Sequence, residues 1–163
     1  MKKNLPIIAL HGIILLAACN TGSAPAKTET APQTTVAAKE STPVPFTVAS
    51  HYFVKNDYTD GTLSNARISS QKDFDAIFGQ AAVMGKDGSP TPVDFTKQYV
   101  IAVINPVSDS AVLLENPVLQ ADNGRIIFSY EEKKGAKQSF STRPFLLLIV
   151  DNQYKGDVLT IKR

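Results

Sequence analysis

Two uninterrupted apolar runs, Tyr99 to Ile104 and Phe145 to Val150, constrain the fold more than any other feature of the chain. A strand with one wet face alternates apolar and polar residues, whereas a run without polar breaks belongs to a central strand covered on both faces. Both runs are therefore expected inside a sheet with protein on either side. The segments around them read as partners. Phe46 to Val54 and Thr62 to Ile68 are strand-like, and Asn123-Gly124 is a type I′ hairpin signal, since both central residues must accept positive φ. That turn sets Asp122 opposite Arg125 and Leu119 opposite Phe128, with Leu119, Phe128 and Tyr130 on one face. A second hairpin is expected from Phe145–Val150 through Asn152 and Gly156 into Val158–Ile161.

One helix is expected. Ser70 can cap the amide of Asp73, Phe74, Ile77 and Phe78 share a helical face, and Gly79 supplies a stop. The stretch from Gly85 to Pro92 carries turn residues and reads as a loop. The expected fold class is α+β: one antiparallel sheet of about six or seven strands with a single short helix, in a single globular domain over residues 46–163.

The N-terminal residues have a different chemistry. Lys2 and Lys3 precede a mostly apolar stretch from Leu5 to Leu16, too short to span a bilayer, and small residues lead to Cys19. Leu16-Ala17-Ala18-Cys19 resembles the lipobox of bacterial lipoproteins. The resemblance implies a signal peptide over 1–18 and lipid attachment at Cys19, whose acyl chains would hold the protein on a membrane. Asn20 to Pro45 is rich in Thr, Ala and Pro and cannot bury enough surface to offset its ordering entropy, so residues 19–45 are expected to be a lipidated, disordered tether. As a flexible coil it would span about 25–30 Å. Asn20-Thr21-Gly22-Ser23 holds no acidic cluster resembling a surface-export signal, and the expected position is the outer membrane, facing the periplasm.

Cys19 is the only cysteine, so a disulfide within the chain is excluded and stability rests on packing. The chain carries 17 Lys+Arg against 15 Asp+Glu, and without Lys2 and Lys3 the balance is even. Even charge gives no case for a nucleic-acid partner. Glu131-Glu132-Lys133-Lys134 cancels locally and reads as a solvated hairpin tip.

Few residues offer reactive chemistry. Beyond His11 in the N-terminal stretch, the only histidine is His51, between Ser50 and Tyr52. On a strand these neighbours point to opposite faces, so Ser50 is not expected to serve His51. Asp57 and Asp60 flank a turn, and Asp73 and Asp75 fall on different sides of the helix. No metal site, cofactor or catalytic residue is expected. Arg143, beside Pro144 at the entry to a buried strand, can offer planar donors to a partner or pair internally with Asp94, Asp151 or another acid. Asp109-Ser110-Ala111 resembles a short bacterial O-glycosylation motif and makes Ser110 a candidate modification site, expected on an exposed loop.

From Val93-Asp94-Phe95 and Tyr99-Val100-Ile101-Ala102-Val103, through Ile126-Ile127-Phe128-Ser129-Tyr130, to Ser141-Thr142-Arg143-Pro144-Phe145-Leu146-Leu147-Leu148, the chain resembles the C-terminal domain of the PrcB family. Those proteins are lipoprotein accessory subunits of a surface protease complex. Asn105-Pro106 stands where a glycine pair is expected in that family. The resemblance implies a lipid-anchored binding or accessory module of the cell envelope with a protein partner, for which a protease is one choice. A small envelope hydrolase using His51 and a purely structural envelope lipoprotein are the alternatives.

Overall fold

The structure is a computed structural model that describes residues 41–59, 63, 66–81, 83–85 and 88–163. The signal stretch, Cys19 and most of the expected tether lie outside the described residues. In chain order the elements are β1 (Thr42–Pro43), β2 (Thr47–Val48), β3 (Tyr52–Val54), β4 (Arg67–Ile68), α1 (Gln71–Ile77), β5 (Phe78–Gln80), β6 (Gln98–Ile104), β7 (Ser108–Asp122), β8 (Arg125–Thr142), β9 (Phe145–Asp151) and β10 (Asp157–Lys162).

The two apolar runs form β6 and β9, paired antiparallel with Ile101 opposite Leu148. Alternation divides their side chains between two cores. Tyr99, Ile101, Leu146, Leu148 and Val150 join Leu119, Ile126, Phe128 and Tyr130. Val100, Ala102, Ile104, Leu147 and Ile149 join Val54, Phe74 and Phe78 on the opposite face. Burying one such side chain contributes about 1.5–3 kcal/mol, so an unbroken apolar run is what two covered faces require.

The expected single sheet of six or seven strands is not formed. The described residues make two four-stranded sheets, β1-β7-β8-β10 and β2-β9-β6-β4, and a two-stranded sheet, β3-β5. The four-stranded sheets pack face to face through the first core, and α1 with β3-β5 covers the outer face of β6 and β9. Layers form because the inward row Ile126, Phe128 and Tyr130 of β8 needs an apolar face of its own to bury against.

The hairpin expected between β9 and the last strand is also absent. Both edges of β9 are taken, by β2 and β6, and the chain crosses to the other sheet, where β10 runs parallel to β8. The Asn123-Gly124 hairpin forms as expected, with φ of 47° and 76° at its two central residues and Asp122 opposite Arg125. It is much longer than the expected pair, since β7 has 15 residues and β8 has 18.

Two boundaries also differ. Thr42 and Pro43 pair with Ala121 and Gln120, and Val44 is buried with its amide donating to the Leu119 carbonyl, so the sheet begins inside the segment whose composition suggests tether. The expected strand from Phe46 to Val54 is two short strands in different sheets, broken at His51, whose φ is 62°. The helix keeps its expected cap, with Ser70 Oγ accepting from the Asp73 amide at 3.1 Å. It ends at Ile77, and Gly79 lies in β5 opposite Phe53.

The crossing into β10 depends on Gly156. Its φ is +136°, and a Cβ there would stand 2.2 Å from the Gly124 carbonyl oxygen, whereas a Cβ at Gly124 meets nothing within 4 Å. Gly156→Ala should therefore lower stability by about 2–4 kcal/mol, and Gly124→Ala by only about 1 kcal/mol of backbone strain. Urea denaturation midpoints of the two variants measure the difference.

Candidate interaction surface

Past the sandwich, β7 and β8 continue as a two-stranded ribbon. β1 covers β7 only at Gln120 and Ala121, and β10 covers β8 only from Arg125 to Tyr130. Among the described residues no strand pairs with the outer edges of residues 108–118 or 131–142. Register shifts between Ser108 and Ser110, between Ser110 and Val112, and between Glu115 and Val118 bend and twist this part of the ribbon. On the ribbon and at its root, Leu113, Phe140 and Val107 are 63%, 58% and 56% exposed.

The run from Glu131 to Lys134 lies within β8 and is not a hairpin tip. Alternation sends Glu131 and Lys133 to one face, where Lys133 pairs with Glu115, and Glu131 with Asn116 and Arg163. Glu132 and Lys134 go to the other. There Glu132 Oε2 accepts from Asn105 Nδ2 at 2.9 Å and from Lys162 Nζ at 3.1 Å, and Lys134 Nζ stands 3.7 Å from Oε1. Two acids followed by two bases thus put one of each sign on each face of a strand. A sequence window sees only that they cancel.

Glu132 sits in a cleft of about 520 Å³ between the Asn105–Ser108 connector and β8. Val112, Tyr130 and Pro144 give the cleft apolar wall, and Lys134 and Lys162 set two cations against one carboxylate. The Lys162 hydrogen bond, joined by that from Asn105, holds the Glu132 carboxyl below its ordinary range against the opposing effect of burial. Nothing in the sequence marks this site, because its members come from four separate segments.

Arg143 turns inward. Its guanidinium donates to the Tyr58 carbonyl and lies over the Tyr58 ring, 5.9 Å from the centroid, so it pairs with neither Asp94 nor Asp151. Asp94 is occupied locally by Thr96 and Lys97. Ser110 lies within β7, half-buried, opposite Lys137, and not on a loop. Its amide donates to Ser108 Oγ at 3.0 Å, and its neighbour Asp109 pairs with Lys137 at 3.0 Å.

His51 departs furthest from expectation. Because it is left-handed and not extended, Ser50 Oγ lies 3.3 Å from its Nδ1 and 3.0 Å from Thr91 Oγ1. The strand-alternation argument against a Ser50–His51 contact is therefore overturned. No carboxylate among the described residues bonds the ring. Asp73 closes the helix cap and Asp75 accepts from Gln71, so those two carboxylates do not converge. Asp60 lies outside the described residues. Among the described residues no three of His, Cys, Asp and Glu are grouped to hold a metal ion, and no helix is long and apolar enough to cross a membrane.

No family model, curated protein or solved structure matches the chain.

Two outcomes follow from these contacts. Arg143→Ala should cost about 1–2 kcal/mol and lower the melting temperature, because the Tyr58 carbonyl loses a charged donor. Glu132, with its carboxyl pKa lowered in the folded state, adds stability that is present above the ordinary glutamate value of 4.5 and lost as pH falls through the folded value. In Glu132→Gln the acid limb of a stability–pH curve should flatten, as read by urea denaturation at a series of pH values.

Proposed function

We propose that the protein is a lipid-anchored binding or accessory module of the cell envelope, held through Cys19 on the outer membrane, facing the periplasm, and that its folded part engages an envelope protein. The observation that carries this reading is the uncovered half of the β7–β8 ribbon. A free two-stranded edge is a template for pairing with another chain, and proteins blunt such edges with charge. Lys133, Lys134 and Lys137 supply that charge here, yet Leu113 and Phe140 remain well exposed among them. Apolar side chains set in a charged surround are the pattern of contact anchors inside a polar rim. The cleft beside the ribbon adds cations suited to an acidic or carbonyl group of the partner. The resemblance of the sequence segments from Val93 to Leu148 to the PrcB family makes a protease complex the first partner to test.

A second reading, a small hydrolase, draws on the Ser50–His51 contact. Any hydrolytic activity that survives both Ser50→Ala and His51→Ala would remove it.

The binding reading has two separable tests. Cross-linking and capture from solubilised envelope should recover a discrete partner with the wild-type chain. Leu113→Asp together with Phe140→Asp should lose it by tenfold or more, equivalent to about 1.4 kcal/mol, with no change in melting temperature. Equal recovery by a folded double variant would refute the ribbon as the contact. Separately, Cys19→Ala should move the protein from the membrane pellet to the soluble fraction and leave the melting curve unchanged, since the first strand among the described residues begins at Thr42, well after Cys19. Retention of that variant in a salt-washed pellet would refute lipid anchoring.

A further inference from the structure

The edge strands of the two large sheets are not alike. β1, β2 and β4 are two residues long, and β1 ends in Pro43, which has no amide to donate. β10 is six residues long, pairs among the described residues with β8 alone, and contains neither proline nor a register shift. Its sequence is Asp-Val-Leu-Thr-Ile-Lys.

The direction of its free backbone groups follows from one bond. The Arg163 amide donates to the Tyr130 carbonyl at 2.8 Å, so the odd-numbered residues of this strand turn their backbone groups toward β8. Val158, Thr160 and Lys162 therefore turn theirs to the open edge. The faces divide in the same way. Leu159 pairs beside Ile127 and Ile161 beside Ser129, on the outer face of the sheet, where they are 45% and 40% exposed.

We propose that β10 is the interface for a second copy of this chain, in antiparallel edge-to-edge pairing about a twofold axis through Thr160. In this register Thr160 faces Thr160 of the second copy, and Val158 faces Lys162, so the outward backbone groups of all three meet their counterparts. Leu159 then faces Ile161, which sets four apolar side chains side by side on the outer face. Asp157 faces Arg163 at both ends. The Asp157 carboxylate has no hydrogen bond or ion pair among the described residues. Arg163 already bonds the Asn116 carbonyl at 2.8 Å and stands 3.8 Å from Glu131, and its five donors leave capacity for a second carboxylate. Only parity-preserving registers keep like faces together, and this one also opposes the charges. The β1-β7-β8-β10 sheets of the two copies become one continuous eight-stranded sheet. The inference is independent of the ribbon and of the envelope reading.

The test is sedimentation equilibrium of the full chain in density-matched detergent, with every variant treated alike. The wild type should show a monomer–dimer equilibrium. Thr160→Pro, which removes a donor that the fold does not use, should weaken the dimer at least about tenfold while the circular dichroism spectrum is kept. If that variant is poorly folded, Leu159→Asp with Ile161→Asp tests the same edge through exposed side chains. The register has its own measurement. Opposed residues whose backbone groups turn away from each other lie about 4.5 Å apart at Cα, within disulfide reach. In a Cys19→Ser background, Leu159→Cys with Ile161→Cys should therefore oxidise to a covalent dimer. A wild type that stays monomeric at the highest attainable concentration would overturn the proposal. So would a dimer of unchanged strength in the folded edge variants, or a failure of the double-cysteine chain to cross-link.

Discussion

The antiparallel pairing of β6 with β9 is the constraint on which the remaining structure depends. Its two faces feed two separate cores, and every other layer is placed by the need to cover one of them. Sheet β1-β7-β8-β10 supplies Leu119, Ile126, Phe128 and Tyr130 to one side. On the other side α1 and the β3–β5 pair bring Phe74, Phe78 and Val54. There Phe74 touches Tyr52 edge-on at 5.1 Å and Phe78 at 5.1 Å, and Phe78 reaches Phe145 of β9 at 5.8 Å. Aromatic rings bury large areas at low rotamer cost, which suits a thin covering layer built on a helix of seven residues.

Having both edges of β9 occupied also dictates the path of the chain. With β2 and β6 on its edges, β9 can accept no further strand, so the residues after it must leave the sheet. The Asn152 amide donates to the Lys97 carbonyl at 2.8 Å, Gly156 packs against Gly124, and β10 is delivered parallel to β8. One consequence reaches the surface. Lys162 at the end of β10 arrives beside Glu132, and together with Asn105 and Lys134 it forms the floor of the cleft. The site is thus a product of the crossover: a hairpin return from β9 would have left Glu132 without Lys162.

Parts of this were legible in the residues. The covered faces of β6 and β9 followed from runs with no polar break. The cap at Ser70 and the turn at Asn123-Gly124 followed from local chemistry that involves only residues within three positions of one another. The facing of Leu119 with Phe128 followed from the turn. Other parts were hidden for a physical reason in each case. The positive φ of His51 is unusual outside glycine and is held here by pairing around it, including the Ala81 amide on the His51 carbonyl. Without that knowledge Ser50 and His51 look like strand neighbours on opposite faces. The four charges from Glu131 to Lys134 look like a tip because charge cancellation and cross-strand pairing have the same composition.

Periodicity and turn chemistry, then, determined from the sequence alone that this chain holds a β-rich domain with one short capped helix, two central strands and one tight hairpin. They also determined that the domain holds no disulfide within the chain, because a single cysteine cannot form one. The number of sheets, the parallel placement of β10, the inward turn of Arg143 onto Tyr58 and the assembly of the Glu132 cleft were decided by tertiary structure. An apolar face states that something must cover it without naming what. The identity of the cover is settled only when segments far apart in sequence compete for the same edges and faces.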